Sequence, residues 1–290
     1  MSQKGSAIMT VAPINRIIDH SSVDGPGNRT VLFFQGCNFD CGYCHNPETI
    51  HMCTNCGVCV SLCPRDVLRI GDSGNVIWDA AKCCGCDACI AACPQNASPK
   101  VTWMTPQEAV KRIAANSPFI RGVTVSGGEC SLRRDFVYEV FREAKRMGLS
   151  TLMDTNGSYD FSQDPQLLEV CDGVMLDVKC FDPTRHKELT GCTNETVFRN
   201  LDFLASAGKL EEVRTVIVPD DLPNMETVQR VCEQLSPFWK QGNPIGYKLI
   251  RFRPVGVRFL YCKHAIPSED TMVRLRVIVE EAGCERISVI

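Results

Sequence analysis

The cysteines of this chain are clustered rather than spread along its length. Twelve of the nineteen lie in three short runs between Cys37 and Cys93. Gaps of two or three residues let neighbouring thiolates converge on one inorganic centre. A disulfide framework is the alternative, but it is typical of small secreted chains, whereas this chain has 290 residues. The pattern therefore predicts several metal-binding groups of thiols in a reducing compartment.

The second and third runs are two copies of one pattern, C-x-x-C-x-x-C-x-x-x-C-P, which begins at Cys53 and again at Cys83. In bacterial two-cluster ferredoxins the fourth cysteine of each such run binds the other cluster. Two structural zinc sites are the alternative, and the tight triplets followed by Cys-Pro disfavour them. Cys84 is out of phase and is not predicted to be a ligand. The predicted ligand sets are Cys53, Cys56, Cys59 and Cys93 for one four-iron cluster and Cys83, Cys86, Cys89 and Cys63 for the other.

The first run offers three thiolates and no fourth. Cys37, Cys41 and Cys44 follow directly after an apolar segment that reads as a buried strand. A four-iron cluster held by three cysteines leaves one iron with open coordination, and an open position is what separates a catalytic metal site from a structural one. A zinc or redox loop is the alternative. The spacing and the position at a strand end predict a catalytic cluster here.

Strand-like and helix-like segments alternate from residue 106 onward. Such alternation indicates an α/β fold with a parallel sheet, and the strand count favours a partial TIM-like (β/α)6 barrel. The chemistry of such folds lies at the C-terminal ends of the strands. We expect residues 1–51 and 101–290 to form the barrel and residues 52–100 to form an inserted ferredoxin-like 2×[4Fe–4S] domain. The predicted strands are 30–35, 122–125, 150–153, 173–178, 213–218, 247–252 and 287–290, and the predicted helices are 106–116, 135–147, 165–170, 194–207, 224–235 and 269–281.

Net charge and hydropathy indicate which kinds of partner are not expected. The formal net charge of −3 gives no reason to expect nucleic-acid or membrane binding through bulk electrostatics. No stretch is apolar and long enough to span a bilayer, and the first ten residues lack a secretory signal. We expect a cytoplasmic protein with neither a nucleic acid nor a membrane as partner.

The motif Cys37-x-x-x-Cys41-x-x-Cys44 resembles the signature of radical S-adenosylmethionine (SAM) enzymes. Its wider context, residues 22–29 and 36–48, resembles the glycyl-radical-enzyme activating enzymes, the family of pyruvate formate-lyase activating enzyme. The double ferredoxin insert resembles that of longer members, of the YjjW type. The resemblance spans essentially the whole chain, and it implies a radical SAM barrel, three [4Fe–4S] clusters and bound SAM.

The resemblance also assigns candidate site residues at the strand ends. It places the Gly127-Gly128-Glu129 segment around the amino group of the cofactor, although Cys130 stands where the family often has proline. Lys179 and Arg214 are expected to meet the cofactor or the incoming peptide. The alternatives from the residues alone are a tight turn, a salt bridge between Asp177 and Lys179, and a surface arginine. The resemblance further implies a monovalent cation, Na⁺ or K⁺, held by Asp154, Thr155, Met175 and Asp177.

The activity implied is reductive cleavage of SAM to a 5′-deoxyadenosyl radical, which takes a hydrogen from a glycine of a partner glycyl radical enzyme. Cys37, Cys41 and Cys44 carry the catalysis, and the electron donor is expected to be a protein such as flavodoxin or ferredoxin. Two interpretations from other classes remain open at this point: a radical enzyme acting on a small molecule, and a plain iron–sulfur electron carrier. Some relatives have a histidine where Arg253 stands, so the residue that contacts adenosine there is left open.

Overall fold

A nine-stranded sheet organises the computed structural model, which describes residues 10–290. Seven neighbouring strands run parallel in the order β2-β6-β7-β8-β9-β10-β11, and β1 and β5 extend the β2 edge in antiparallel orientation. The strands are β1 (Ala12–Ser21), β2 (Arg29–Phe34), β3 (Leu68–Ile70), β4 (Val76–Trp78), β5 (Thr102–Met104), β6 (Gly122–Gly127), β7 (Ser150–Thr155), β8 (Gly173–Asp177), β9 (Leu210–Ile217), β10 (Gly246–Arg251) and β11 (Ile287–Val289).

Helices connect the parallel strands. The predicted α/β class and its six strand–helix repeats, from β2 to the last helix, are present, and β11 adds a seventh parallel strand. Because β5 and β11 lie at opposite ends of the strand order, the sheet is open, as expected for an incomplete barrel. The helices are α1 (Ala88–Ala91), α2 (Pro106–Asn116), α3 (Arg134–Arg146), α4 (Pro165–Val170), α5 (Pro183–Thr190), α6 (Glu195–Ser206), α7 (Asn224–Trp239) and α8 (Glu269–Glu281).

The main core lies between the sheet and these helices. Alternate residues of each strand, such as Phe34 in β2 and Met153 in β7, belong to this core, and the ring of Phe34 meets Phe136 of α3 edge-on at 5.7 Å. Since side chains alternate along a strand, the residues between them point to the opposite face of the sheet. That second face carries polar residues near the strand ends, among them Ser126, Asp154 and Arg214.

Helix boundaries follow local signals. Thr105 and Glu108 form a reciprocal capping box that starts α2, and both α2 and α8 have their predicted bounds. Helix α7 contains Pro237 in its last turn and extends to Trp239, beyond the predicted end at residue 235. The sequence prediction missed β1, β5 and α5. These are an irregular half-buried strand, a three-residue strand and a largely polar helix.

The chain between β2 and β5 has secondary structure of its own. It contains the hairpin of β3 and β4, in which Leu68 pairs with Trp78, and the short helix α1. Its buried cluster, Cys59, Leu68 and Cys89, is distinct from the main core. None of the helices within residues 10–290 has the length and apolar character that crossing a membrane requires.

Candidate active site

The first cysteine run lies at the C-terminal end of β2. The thiols of Cys37, Cys41 and Cys44 line one cavity of about 200 Å³, and no other cysteine lies among its described lining residues. The ends of β6, β7 and β8 contribute the other walls, including Ser126, Gly127, Gly128, Asp154, Thr155, Asp177 and Lys179. The structure therefore brings together the three catalytic candidates and most of the predicted strand-end residues.

Backbone hydrogen bonds hold the cysteine loop in place. The N–H of Cys37 donates to Ile50 O at 2.9 Å, so the loop begins against the segment that follows it. The N–H groups of Asp40 and Gly42 donate to the last carbonyls of α5, Thr190 O at 2.8 Å and Leu189 O at 3.1 Å. Helix α5, which the sequence prediction missed, thus uses its free C-terminal carbonyls to anchor the loop.

Burial makes the three thiols weak acids in the protein alone. It raises the pKa of Cys37 to about 12 and those of Cys41 and Cys44 to about 11, although the nearby Lys179 ammonium opposes the shift. Thiolates would therefore form here only with a strongly cationic partner such as iron. Among the described residues, no three histidine, cysteine or carboxylate side chains group tightly enough for one metal ion. A four-iron cluster differs from a single ion because each thiolate binds a separate iron corner.

Two buried ion pairs border the cavity. Lys179 Nζ lies 3.0 Å from Asp177 Oδ2 and 5.8 Å from the centre of the Tyr43 ring. Burial, the largest single effect, would lower the pKa of Lys179, but the charges of Asp177, Tyr43 and Cys41 together outweigh it and keep the pKa well above the usual value. The salt bridge expected as the alternative is thus present, and its ammonium also faces the cavity.

Arg214 forms the second ion pair and lies behind the cavity wall. Its Nη1 is 3.0 Å from Asp154 Oδ2, its Nε is 2.7 Å from Glu212 Oε1, and its Nη2 is 2.9 Å from Met175 Sδ. The strand register explains the meeting, because Asp154 of β7 pairs with Met175 of β8 and Arg214 of β9 pairs with Asp177. Arg214 is buried, so the surface interpretation is wrong. Its guanidinium already supplies a positive charge beside the predicted cation ligands.

The Gly-Gly-Glu segment packs against the protein itself. A Cβ on Gly127 would overlap the backbone of Phe34, and one on Gly128 would overlap Gly36 O, so both positions require glycine. The carboxylate of Glu129 is buried and accepts hydrogen bonds from Ser131 N at 2.9 Å, Thr155 Oγ1 at 2.7 Å and Asn156 N at 2.7 Å. Glu129 therefore ties the ends of β6 and β7 together and does not line the cavity. Its contact with a cofactor stays a prediction.

Comparison with known proteins gives consistent matches. Residues 31–235 match the sequence profile of the Radical SAM superfamily. The chain is 31% identical to the choline trimethylamine-lyase activating enzyme of Oleidesulfovibrio alaskensis, over 85% of each chain. It is 30% identical to the isethionate sulfite-lyase activating enzyme of Nitratidesulfovibrio vulgaris, over 91% of this chain and 94% of that one. The chain belongs to the glycyl-radical enzyme activating enzymes, within the radical SAM superfamily.

Further matches agree with this family. The pyruvate formate-lyase 1-activating enzyme of Escherichia coli is 29% identical over 90% of this chain and 92% of its own. The solved structure of Streptococcus suis SuiB bound to precursor peptide SuiA has a TM-score of 0.55 at 12% identity, over 90% of this chain and 48% of that one, which is a likeness of fold alone. Membership of this family makes the protein an enzyme that uses a [4Fe–4S] cluster and SAM. The electron-carrier interpretation is therefore wrong.

In this activating enzyme the segment between β2 and β5 carries the cysteines of the repeat. Two small cavities open in it. The exposed side chain of Cys84, which was not predicted to be a ligand, lies at the cavity that Cys83 also lines. The first cavity is lined by Cys53, Cys56, Cys59 and Cys93, and the second is lined by Cys63, Cys83, Cys86 and Cys89. Each cavity thus has four thiols as candidate iron ligands.

A segment after β10, residues 253–264, crosses the cysteine loop and was not anticipated from the sequence. Arg258 forms an ion pair with Asp40, and Arg253 O lies 3.0 Å from Nε2 of His45, the residue after Cys44. The Tyr261 ring packs on Gly42, and its hydroxyl donates to Asp221 Oδ2 at 3.1 Å. Arg253 itself is exposed and meets the loop through its carbonyl. This crossing segment fixes the outer side of the cluster-binding loop.

Replacing Gly42 with alanine is expected to loosen the cysteine loop of the activating enzyme. The new Cβ would overlap the Tyr261 ring, and overpacking of this kind costs about 1–3 kcal/mol. We expect faster release of iron to a chelator and a lower urea midpoint, with recovery in the Gly42→Ala/Tyr261→Ala double variant. Gly246→Ala is the matched control, since its Cβ would have neighbours no nearer than 3.5 Å. Equal iron release by Gly42→Ala and the parent would contradict the inference that the contact between Tyr261 and Gly42 holds the cysteine loop in place.

Proposed function

We propose that this activating enzyme cleaves SAM reductively to methionine and a 5′-deoxyadenosyl radical, and that this radical removes a hydrogen atom from the α-carbon of one glycine in a partner glycyl radical enzyme. The observation that carries the proposal is the meeting of Cys37, Cys41 and Cys44 in one cavity that has no fourth cysteine. The family relation supports the same activity, because the curated relatives are named as activating enzymes.

We assign separate roles to the residues of the cavity. Cys37, Cys41 and Cys44 would hold a [4Fe–4S] cluster, which would bind the methionine part of SAM at an iron without a protein ligand and supply one electron for its cleavage. Lys179 is the cation that lines the cavity, and we assign it to the methionine carboxylate. Gly127 and Gly128 line the cavity, and we assign their backbone to the amino group of SAM. Arg214, which lies behind the cavity wall, orients the Asp154 carboxylate through their ion pair.

A monovalent cation, Na⁺ or K⁺, belongs to the proposal as a ligand of the strand ends. Asp154 and Asp177 both line the cavity, and their carboxylates are close enough to interact. A bound cation would offset their negative charge and that of the SAM carboxylate. Thr155, the last residue of β7, and Met175, within the neighbouring strand β8, complete the proposed set. Oxygen atoms of these groups suit a hard cation.

Residues 52–100 are proposed to bind two further [4Fe–4S] clusters, which makes three in the protein. The two cavities lined by four thiols each support this count. Placed beside the cysteine loop, these clusters would pass electrons inward from an external donor such as flavodoxin or ferredoxin, or help to dock the partner. A reducing compartment, the cytoplasm, is part of the proposal because all nineteen cysteines are free.

Glycine suits the proposed reaction as a target. Its backbone enters a narrow site as an extended loop, because no Cβ blocks the approach. The reaction also needs a closed site, since the nucleoside radical reacts with whatever it meets. The proposal places this chemistry in the cavity of about 200 Å³ that Cys37, Cys41 and Cys44 line.

Anaerobic reconstitution tests the proposal in two steps. Iron-replete protein, dithionite and SAM are expected to yield 5′-deoxyadenosine, measured by chromatography. A candidate glycyl radical enzyme is then added, and the characteristic glycyl doublet is expected by electron paramagnetic resonance (EPR). Absence of nucleoside from iron-replete protein would refute the proposal. Nucleoside formation coupled to consumption of a small molecule, with no doublet for any candidate partner, would favour a small-molecule substrate instead.

A further inference from the structure

We propose that Lys100 raises the reduction potential of one of the two insert clusters, the one held by Cys63, Cys83, Cys86 and Cys89, above that of the other. The inference rests on the proposed function, which places two clusters in residues 52–100. It assigns a direction to electron flow within the insert, because electrons move from the cluster of lower potential to the cluster of higher potential.

Lys100 lies in the segment that leads from the insert to β5 and reaches back into the insert. Its side chain is 18% exposed and lines the cavity of the second thiol set. The ammonium is close enough to Cys89 and Cys83 to interact with both through charge. A hydrogen bond from Lys100 N to Ser98 Oγ at 3.1 Å fixes the backbone from which the side chain extends.

The other charges around this cavity do not cancel Lys100. Asp87, between Cys86 and Cys89, forms an ion pair with Lys100, but its side chain is 61% exposed and its charge is screened by water. Arg65 also lines the cavity, as an exposed residue of the same sign as Lys100. The less exposed ammonium of Lys100 therefore has the stronger effect at the thiols, because charge acts more strongly where water is excluded.

The first insert cavity has no comparable group. Its lining residues, from Cys53 to Pro99, are cysteines and uncharged residues only. Reduction adds one negative charge to a cluster, and a neighbouring positive charge stabilises that added charge. Two clusters with the same ligands are thus expected to differ in potential, with the Lys100 side as the better electron acceptor.

The experiment is an EPR-monitored redox titration of the reconstituted holoenzyme. Lys100→Met keeps the length of the side chain and removes the charge, and we expect it to disfavour reduction of one insert cluster about tenfold, or about 59 mV for a one-electron couple. Lys100→Arg keeps the charge and should stay near the parent. Lys82→Met is the matched control, because Lys82 precedes Cys83 in the sequence but its side chain is 77% exposed and lies outside the cavity.

The affected cluster is identified by repeating the titration with Cys56→Ser, which alters only the signal of the first set. The catalytic cluster is recognised by its response to SAM. A Lys100→Met variant in which every potential equals that of the parent, or in which both insert clusters shift equally, would overturn the inference. If iron analysis and EPR find no clusters beyond the catalytic one in the parent, the proposed function of the insert fails instead, and the two failures are thereby distinguished.

Discussion

Replacing Cys41 with alanine is expected to abolish 5′-deoxyadenosine formation. Cys41 is the most buried of the three catalytic thiols, and with two cysteines left the cavity cannot retain a four-iron cluster. Iron content should fall from about twelve to about eight atoms per chain, because each [4Fe–4S] cluster contributes four. The two insert clusters should keep their EPR signals, since their ligands lie in separate cavities. Iron analysis, EPR and nucleoside chromatography on one preparation measure all three effects.

Cys192→Ala is the control for this change. Cys192 lies beside the same loop, with its Sγ 3.3 Å from Asn38 O, but it is outside the predicted ligand sets and does not line the cavity. Its replacement should leave nucleoside formation within about twofold of the parent, as is usual for a substitution that touches no special feature. Retention of full activity and full iron by Cys41→Ala, or equal losses in both variants, would refute the assignment of the catalytic cluster.

The cysteine sets could be predicted because the spacing of cysteines along the chain indicates which thiols can bind the same cluster. Two-residue gaps indicate which thiols are neighbours, and the ferredoxin-type repeat predicts that Cys63 and Cys93 exchange partners between the runs. The structure groups the sulfurs accordingly in two cavities. The parallel strands were predictable for a similar reason, since a buried apolar run such as that in β2 is its own signal.

The remaining parts of the site depend on contacts between residues that are far apart in the chain. Arg214 meets Asp154 only because β7, β8 and β9 are neighbours in a defined register, and its sequence context also suits an exposed arginine. Gly42 and Tyr261 are separated by most of the chain, and nothing near either residue indicates the other. Helix α5 is short and polar, so its role as an anchor follows from where its end lies and not from its composition.

The buried pair of Arg214 and Asp154 gives the second large expected effect. Arg214→Met removes the only cation of the described residues 10–290 that lies within ion-pair distance of Asp154, whose side chain is 16% exposed, and leaves Ser126 Oγ at 2.8 Å as its hydrogen-bond partner. Glu212 is less affected because Lys248 Nζ lies 2.9 Å from it. Breaking one side of such a pair costs about 3–5 kcal/mol of unfolding free energy. Urea unfolding followed by circular dichroism under anaerobic conditions measures the loss.

Two further variants separate a broken pair from lost packing. Arg214→Met/Asp154→Asn removes the uncompensated carboxylate and should recover about 1–3 kcal/mol relative to Arg214→Met alone, as expected for coupled neighbours. Arg251→Met removes an ion pair with the largely exposed Glu269, and such surface pairs contribute about 0–1 kcal/mol. An Arg214→Met loss no larger than that of Arg251→Met, or no recovery in the double variant, would show that the pair is not what stabilises this end of the sheet.

The pH dependence of the Arg214→Met deficit tests the same cause independently. Burial raises the pKa of Asp154 to about 6 even with Arg214 in place, and removing the guanidinium should raise it further. A carboxyl whose pKa is higher in the folded than in the unfolded protein favours folding when protonated, and this contribution is lost as pH rises through the folded-state pKa. The deficit of Arg214→Met should therefore shrink as pH falls from 8 to 6, whereas that of the double variant should not change. A deficit that is constant with pH would mean that it arises from packing around the lost side chain and not from an unpaired Asp154.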